Sequence, residues 1–258
     1  MRKYLYYSYL AFQNLIEYRI NIFWKFSGLI VRTLILYFFW VAVLGAGFGK
    51  ESYNATSLAA YYIAITFVGN FSGFDYHNVA DDIRNGNLAT VLVKPINYFL
   101  ILFFGSLPDR ILTTIIYLML FLALFGHSLG NFDLWYLPIV VIVLSVSVLM
   151  NFFMAVAIGT LSFWFRRVHG FNALFWNIGG LFSGQFIPID LLPSKLLTIA
   201  NYLPFKYMVF FPAQIILRKP IMDIPQNILI QLVWITLFFL AMVIIWKKGI
   251  SKFEATGQ

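Results

Sequence analysis

The sequence contains no cysteine and few charged side chains. Charged residues make up 11% of the 258 positions, whereas soluble domains carry about 25%. The lack of cysteine excludes disulfides, thiolate metal sites and cysteine nucleophiles. Apolar residues make up 61% of the chain, and its mean hydropathy is +0.83. These values predict an integral membrane protein without a separate soluble domain.

The net charge of +8 does not indicate nucleic-acid binding, because basic residues in a membrane protein mostly mark its cytoplasmic side. We expect no nucleic-acid partner. The three histidines, His77, His127 and His169, lie in different connections and lack the spacing of metal ligands. We therefore expect no metal, no cofactor and no catalytic residue on this chain. The N-terminus lacks the pattern of a cleavable signal peptide.

Long apolar runs predict an all-α polytopic membrane protein with six transmembrane helices. A bilayer core of ~30 Å needs about 20 apolar residues per helix, so residues 1–258 form a single transmembrane domain. We also consider a short interfacial helix over 97–107. The six predicted spans are approximately 25–46, 57–75, 109–126, 135–164, 171–187 and 228–246.

Residues 1–21 are too polar on one side to cross a membrane. Gln13, Asn14 and Glu17 recur at helical spacing, and apolar residues cover most of the remaining surface. This pattern predicts an amphipathic helix in the membrane interface. A frayed start of the first span is the alternative.

The distribution of basic residues predicts the orientation. With both termini in the cytoplasm, 12 of the 18 lysines and arginines lie on the inner side, five lie on the outer side, and Arg32 lies within the first span. The positive-inside rule therefore favours cytoplasmic termini.

The stretch GAGFGKES, residues 45–52, resembles a phosphate-binding loop but departs from its pattern. Glu51 occupies the position of the Ser or Thr that binds magnesium, and Gly45 is one residue too close to Gly49. The stretch also falls in the first outer connection, where ATP is absent. We expect these glycines to end a helix and form a turn.

Residues 75–95 form a polar segment that is predicted to be cytoplasmic. Asp75 is placed to cap a helix, and Gly86 is placed to end it. Val79 and Ile83 share one face of that helix. Such a helix is suited to docking into a groove on a partner. A solvated loop without a partner is the alternative.

Residues 188–226 are rich in proline, which prevents one continuous helix. Glycines at 179, 180 and 184 interrupt the fifth apolar run just before them. We expect short helices near 193–201 and 205–217, either at the outer interface or re-entering the membrane. An ordinary connection is the alternative.

Arg32 is the one strong charge well inside a predicted span. Intramembrane charge is costly and indicates a pathway or a partner. Alternatively, the Arg32 side chain extends along the helix to the inner lipid headgroups, or it forms an ion pair with Glu17.

Two motifs resemble type-2 ABC exporter permeases, in particular the small six-span branch that is labelled viologen-exporter-like. The first is an acidic pair followed by IRNGNL and VLVKP, and the second is SGQFIPIDLLPSKLLTIANYLPFKYMVFFPAQI, residues 183–215. The resemblance implies an outer gate or re-entrant segment that contains Gly184, Pro188, Pro193, Pro204, Phe205 and Pro212. It implies an ATPase-coupling segment formed by Asp81, Asp82, Ile83, Arg84, Asn85, Gly86, Asn87 and Leu88.

The same resemblance implies the partners and the location. Two permeases, identical or related, would pair with two separate ABC ATP-binding subunits that hold ATP and magnesium, in the inner membrane of a prokaryote. The N-terminal helix would share the cytoplasmic contact with those subunits. A secondary transporter is the alternative, but it would normally bury acids or histidines near the middle of the membrane. An intramembrane enzyme would need converging catalytic groups, and the sequence contains no such set.

Overall fold

The computed structural model describes residues 2–47, 53–125, 134–165, 168–218 and 224–253, and these residues form helices and short connections. Five of the described helical segments are long and apolar enough to cross a membrane, which confirms an all-helical polytopic protein. The α-helices, in chain order, are α1 Arg2–Glu17, α2 Arg19–Gly45, α3 Ala55–Ser72, α4 His77–Arg84, α5 Asn87–Leu92, α6 Tyr98–Gly105, α7 Leu107–Phe125, α8 Leu137–Thr160, α9 His169–Phe182, α10 Ser194–Tyr202, α11 Phe211–Ile216 and α12 Ile224–Ile250.

The fifth predicted span, 171–187, is shorter in the structure than expected. Helix α9 ends at Phe182 after 14 residues, and a membrane span needs about 20. The described chain then turns at Gly184, where φ is +79°. Val168, just before α9, packs against Tyr76 and Ala80, whereas Gly184, just after it, contacts Tyr61, so α9 and the residues that follow it still connect the two ends of the bundle. The remaining five predicted spans correspond to α2, α3, α7, α8 and α12.

Helix α1 is separate from α2, because the chain bends at Tyr18 (φ −96°, ψ 39°). The predicted separate N-terminal helix is therefore confirmed, and the alternative of a frayed first span is not. One edge of α1 rests on α6 and α7, and none of its residues is fully buried. The possible short helix at 97–107 is observed as α6.

The main core lies between α3, α8, α11 and the stretch Lys206–Phe210 that directly precedes α11. A smaller apolar cluster fills the end of the bundle where α4 and α5 lie, and it includes Val79, Ile83 and Leu88. We call this end the α4 end. Helix α12 packs along α8, and the approach is close enough that a methyl group at Gly249 would overlap the Phe163 ring.

The glycines of the first connection end a helix as predicted. Helix α2 stops at Gly45, and Gly47 adopts a φ of +103° that L side chains rarely adopt. Gly49, Lys50 and Glu51, on which the rejected phosphate-loop interpretation depends, lie outside the described residues.

Candidate functional site

The predicted coupling segment folds into two short helices, α4 and α5, joined by a turn at Gly86, at one end of the bundle. We call this pair of helices the elbow. Helix α4 ends at Arg84, and Gly86 turns the chain with a φ of +73° before α5 begins at Asn87. Asp75 accepts a hydrogen bond from the His77 amide at 2.9 Å, just ahead of α4. The N-cap residue of α4 is Tyr76, so Asp75 lies one residue ahead of the cap position at which it was predicted. The glycine stop follows the sequence prediction, whereas the second helix, α5, was not expected.

Helix α4 lies directly against α8 because Gly159 has no side chain. A Cβ atom at Gly159 would lie 2.7 Å from the Val79 Cβ and 2.8 Å from the Tyr76 carbonyl oxygen. Both distances are shorter than real Cβ contacts allow. Gly159 thus fixes the depth at which α4 sits on the bundle.

Asp82 connects the elbow to two other helices. Its carboxylate accepts a hydrogen bond from the Tyr98 hydroxyl at 2.8 Å, and the Tyr98 ring stacks on Trp246 of α12 with centroids 5.5 Å apart. Tyr98 itself is buried. A displacement of α4 would therefore be transmitted to α6 and α12.

The eight predicted coupling residues divide between the bundle and the solvent-facing side of the elbow. Ile83 and Leu88 are buried in the bundle, and Asp82 is turned towards Tyr98. Arg84 binds the Asp81 carboxylate. The exposed members are Asp81, Asn85 and Asn87.

Helix α1 contacts the chain immediately after the elbow. The Lys3 ammonium donates to the Pro95 carbonyl at 3.3 Å, and the Asn97 amide donates to the Tyr4 hydroxyl at 3.0 Å. The Tyr4 ring also stacks on Phe104 with centroids 5.7 Å apart. The start of α1 and the coupling segment thus lie at the same end of the molecule.

At the opposite end, the backbone beyond α9 is held by aromatic donors. The Tyr61 hydroxyl donates to the Gly184 carbonyl at 2.7 Å, and the Trp40 indole donates to the Phe186 carbonyl at 2.9 Å. Tyr61 is completely buried. Carbonyls that are not part of a helix are tolerated at membrane depth only when such partners satisfy them.

The predicted proline-rich segment folds into short helices, as expected. Pro188 precedes a 3₁₀ turn, Ile189–Leu191, and Pro193 immediately precedes α10. Pro204 and Phe205 are buried, and they lead into a π-helical stretch, Lys206–Phe210. Pro212, also buried, lies in the first turn of α11. Gly184 therefore begins a series of interrupted helices, of which the residues from Tyr207 to Ile215 are buried in the core whereas α10 is largely exposed.

The π-helical stretch frees backbone carbonyls that buried polar side chains then bind. Gln231 of α12 donates to the Tyr207 carbonyl at 3.0 Å, and the Ser147 hydroxyl of α8 donates to the Met208 carbonyl. Gln231 and Ser147 are both fully buried. Such π-bulges occur frequently at functional sites, and the sequence contained no periodic signal for this one.

Tyr53 and Asp190 join the first connection to the proline-rich segment. The Tyr53 hydroxyl donates to the Asp190 carboxylate at 2.8 Å. Burial, and then the neighbouring carboxylate, raise the pKa of Tyr53 well above its ordinary value. Tyr53 therefore remains a neutral donor throughout the physiological pH range.

Arg32 lies over the ring of Phe186, with its guanidinium carbon 5.5 Å from the ring centroid. It is 13 residues beyond Arg19, at the start of α2, which corresponds to about 20 Å along the helix. Among the described residues Arg32 forms no ion pair with Glu17. Its side chain is exposed on the protein surface at that depth.

Asp109 and Arg110, in the first turn of α7, have different partners. Asp109 forms an ion pair with Lys25 at 2.7 Å. Arg110 is buried and donates to the carbonyls of Phe71 and Gly73, the latter at 3.1 Å. The ion pair holds the beginning of α7 against α2, and the Arg110 hydrogen bonds hold it against the end of α3.

Among the described residues, no group of three His, Asp or Glu is placed to hold a metal ion. A family model described as ABC-2 family transporter protein matches residues 29–257. That range begins within α2 and contains the other spans, the elbow and the proline-rich segment. No curated protein matches the sequence.

Proposed function

Since the chain belongs to the ABC-2 family of transporter proteins, we propose that it is the membrane-spanning half of an ATP-driven exporter powered by separate ATP-binding subunits. The chain is an ABC-2 type permease, a transport subunit rather than an enzyme. ATP and magnesium would be held by the partner chains. We further propose that it belongs to the viologen-exporter-like branch, which the two sequence motifs resemble.

The proposed complex contains two permeases and two ATP-binding subunits. The second permease is either another copy of this chain or a related six-span chain, and the pathway runs along their shared interface. The complex lies in the inner membrane of a prokaryote with both termini in the cytoplasm. The basic residues near the α4 end support this orientation.

The observation that carries the proposal is the rigid attachment of the α4–α5 elbow. Its inner side is packed against α8 through Val79 and Gly159, and Asp82 connects it to α6 and α12. Its outer side presents Asp81 and Asn87 for docking. When ATP binding changes the preferred conformation of the ATP-binding subunits, the elbow would transmit that preference to the spans.

Arg32 and the proline-rich segment are proposed to line the pathway. An exposed guanidinium about 10 Å along α2 beyond the Lys25–Asp109 ion pair would be expensive in contact with lipid. A water-filled space shared with the second permease would remove that cost. The interrupted helices between Gly184 and Pro212 would form the outer gate of the same space.

A secondary transporter is the second candidate, and the described structure disfavours it. Among the described spans α2, α3, α7, α8 and α12, the single acidic residue is Asp109, which lies in the first turn of α7 and not near the middle of a helix. A proton or sodium relay would normally place an acid near the centre.

Charge reversal on the exposed side of the elbow tests the proposal. Asp81→Lys combined with Asn87→Lys should reduce co-purification of the ATP-binding subunit without lowering insertion of the permease. Lys252→Glu, an exposed charge reversal beyond α12 at the same end, serves as the matched control. Undiminished co-purification and substrate-stimulated ATP hydrolysis in the double variant would overturn the assignment of these residues.

A further inference from the structure

An open groove of about 530 Å³ lies between the amphipathic helix and the bundle. Its walls come from α1, the first turn of α2 and one face of α7, and this volume is typical of ligand sites, which measure about 300–1,000 Å³. The lining residues are Ser8, Tyr9, Phe12, Leu15, Ile16, Arg19, Ile22, Pro108, Ile111, Leu112 and Ile115. We call this space the α1 groove.

The α1 groove combines an apolar floor with one cationic wall residue. The side chains contributed by α7 are apolar, and Ile111 is 61% exposed. Arg19, at the start of the first span, has no ion pair among the described residues. Asp109, adjacent to the α7 wall, is already neutralised by Lys25 at 2.7 Å.

We propose that the α1 groove binds one anionic phospholipid. Its acyl chain would lie on Phe12 and Ile111, and its phosphate would contact the guanidinium of Arg19. The chemistry fits because a groove of this kind at the membrane interface would expose apolar surface to water if it were empty. A basic residue beside a gap between membrane helices is a recurring arrangement for anionic headgroups.

The site has a structural consequence for the elbow. Helix α1 rests mainly on α6 and α7 and has no fully buried residue, and its first turn is hydrogen-bonded to the backbone of Pro95 and Asn97. A lipid in the groove would fill the space between α1 and α7 and so fix the position of α1. It would thereby stabilise the chain segment that follows α5.

Native mass spectrometry of the purified chain with phosphatidylglycerol or phosphatidylcholine tests the site. We expect the wild-type protein to retain phosphatidylglycerol preferentially. Arg19→Gln should reduce that preference by about fivefold, since a basic residue at a membrane surface contributes about 1 kcal/mol. Arg2→Gln, which changes an exposed arginine of α1 outside the groove, should leave the preference unchanged.

Filling the groove provides an independent measurement. Ile111→Trp should abolish the retained lipid, whereas Ile142→Trp, at a similarly exposed position of α8 (56% against 61%), should not. The site is wrong if the wild-type protein shows no preference for phosphatidylglycerol, if Arg19→Gln keeps the full preference, or if both tryptophan variants retain lipid equally.

Discussion

The Tyr61 hydroxyl of α3 donates a hydrogen bond of 2.7 Å to the carbonyl of Gly184, the residue at which the chain turns after α9. The two residues are 123 positions apart. Their contact replaces the helical bond that the Gly184 carbonyl would otherwise form, and it anchors the first turn of the proposed outer gate to a central span.

Substitution of Gly184 should destabilise this end of the protein. In Gly184→Ala the new Cβ would lie 2.5 Å from the Tyr61 oxygen, at a φ of +79°, and strained backbone of this kind costs roughly 1–3 kcal/mol. We expect the melting temperature in detergent to fall by roughly 5 °C. Gly28→Ala is the matched control, because nothing lies within 4 Å of its added methyl group. Equal melting temperatures for the two variants would contradict the structure here.

A methyl group at Gly159 should loosen the elbow. Gly159→Ala would place its Cβ 2.7 Å from the Val79 Cβ, and overpacking of this kind costs about 1–3 kcal/mol. We expect weaker co-purification of the ATP-binding subunit, because α4 would be forced away from α8. Gly105→Ala, with nothing within 4 Å, should bind normally. Normal binding by both variants would show that the depth of α4 does not control docking.

The elbow illustrates how much the sequence alone could predict. Asp75 and Gly86 have conformational roles that depend on their immediate neighbours, so the beginning and end of α4 could be located from the pattern. The contact between Val79 and Gly159 could not, because it depends on two residues 80 positions apart that become neighbours only when α4 folds onto α8. For the same reason, sequence reasoning missed Tyr98 as the partner of Asp82.

At the other end of the molecule, too, the sequence predicts the features that depend on neighbouring residues but not the contacts between distant ones. The prolines at 188, 193, 204 and 212 predicted interrupted helices, since each removes a backbone donor locally. The π-helical stretch Lys206–Phe210 depends instead on Gln231 and Ser147, which supply donors from two other helices. The shortness of α9 was missed because the predicted span was continued across Ser183, Gly184 and Gln185 to residue 187, whereas the helix ends at Phe182 and the chain turns at Gly184.

The orientation can be tested with single cysteines, because the natural chain contains none. We expect Ser194→Cys, at the start of α10, to react with a membrane-impermeant maleimide in intact cells. Asn87→Cys, at the start of α5, should react only after the membrane is permeabilised. Both positions are exposed. The reverse labelling pattern would invert the proposed orientation.

The environment of Arg32 can be tested in the same cysteine-free background. If Arg32 lies beside a water-filled space, Arg32→Cys should react with a small hydrophilic thiol reagent, since the reacting thiolate requires water. Leu237→Cys, an exposed position on α12, should remain inert in contact with lipid. Equal inertness of the two cysteines would remove Arg32 from the proposed pathway.

Photo-crosslinking from the elbow tests the proposed partnership most directly. A photoreactive amino acid at Asn85, which is exposed at the end of α4, should capture in cells a chain that contains a complete phosphate-binding loop. The same amino acid at Leu229, exposed on α12, should capture no such chain. Identification of that ATP-binding subunit by mass spectrometry at Asn85 alone is the predicted result. Its absence from crosslinks at Asn85, Asp81 and Asn87 would contradict the account.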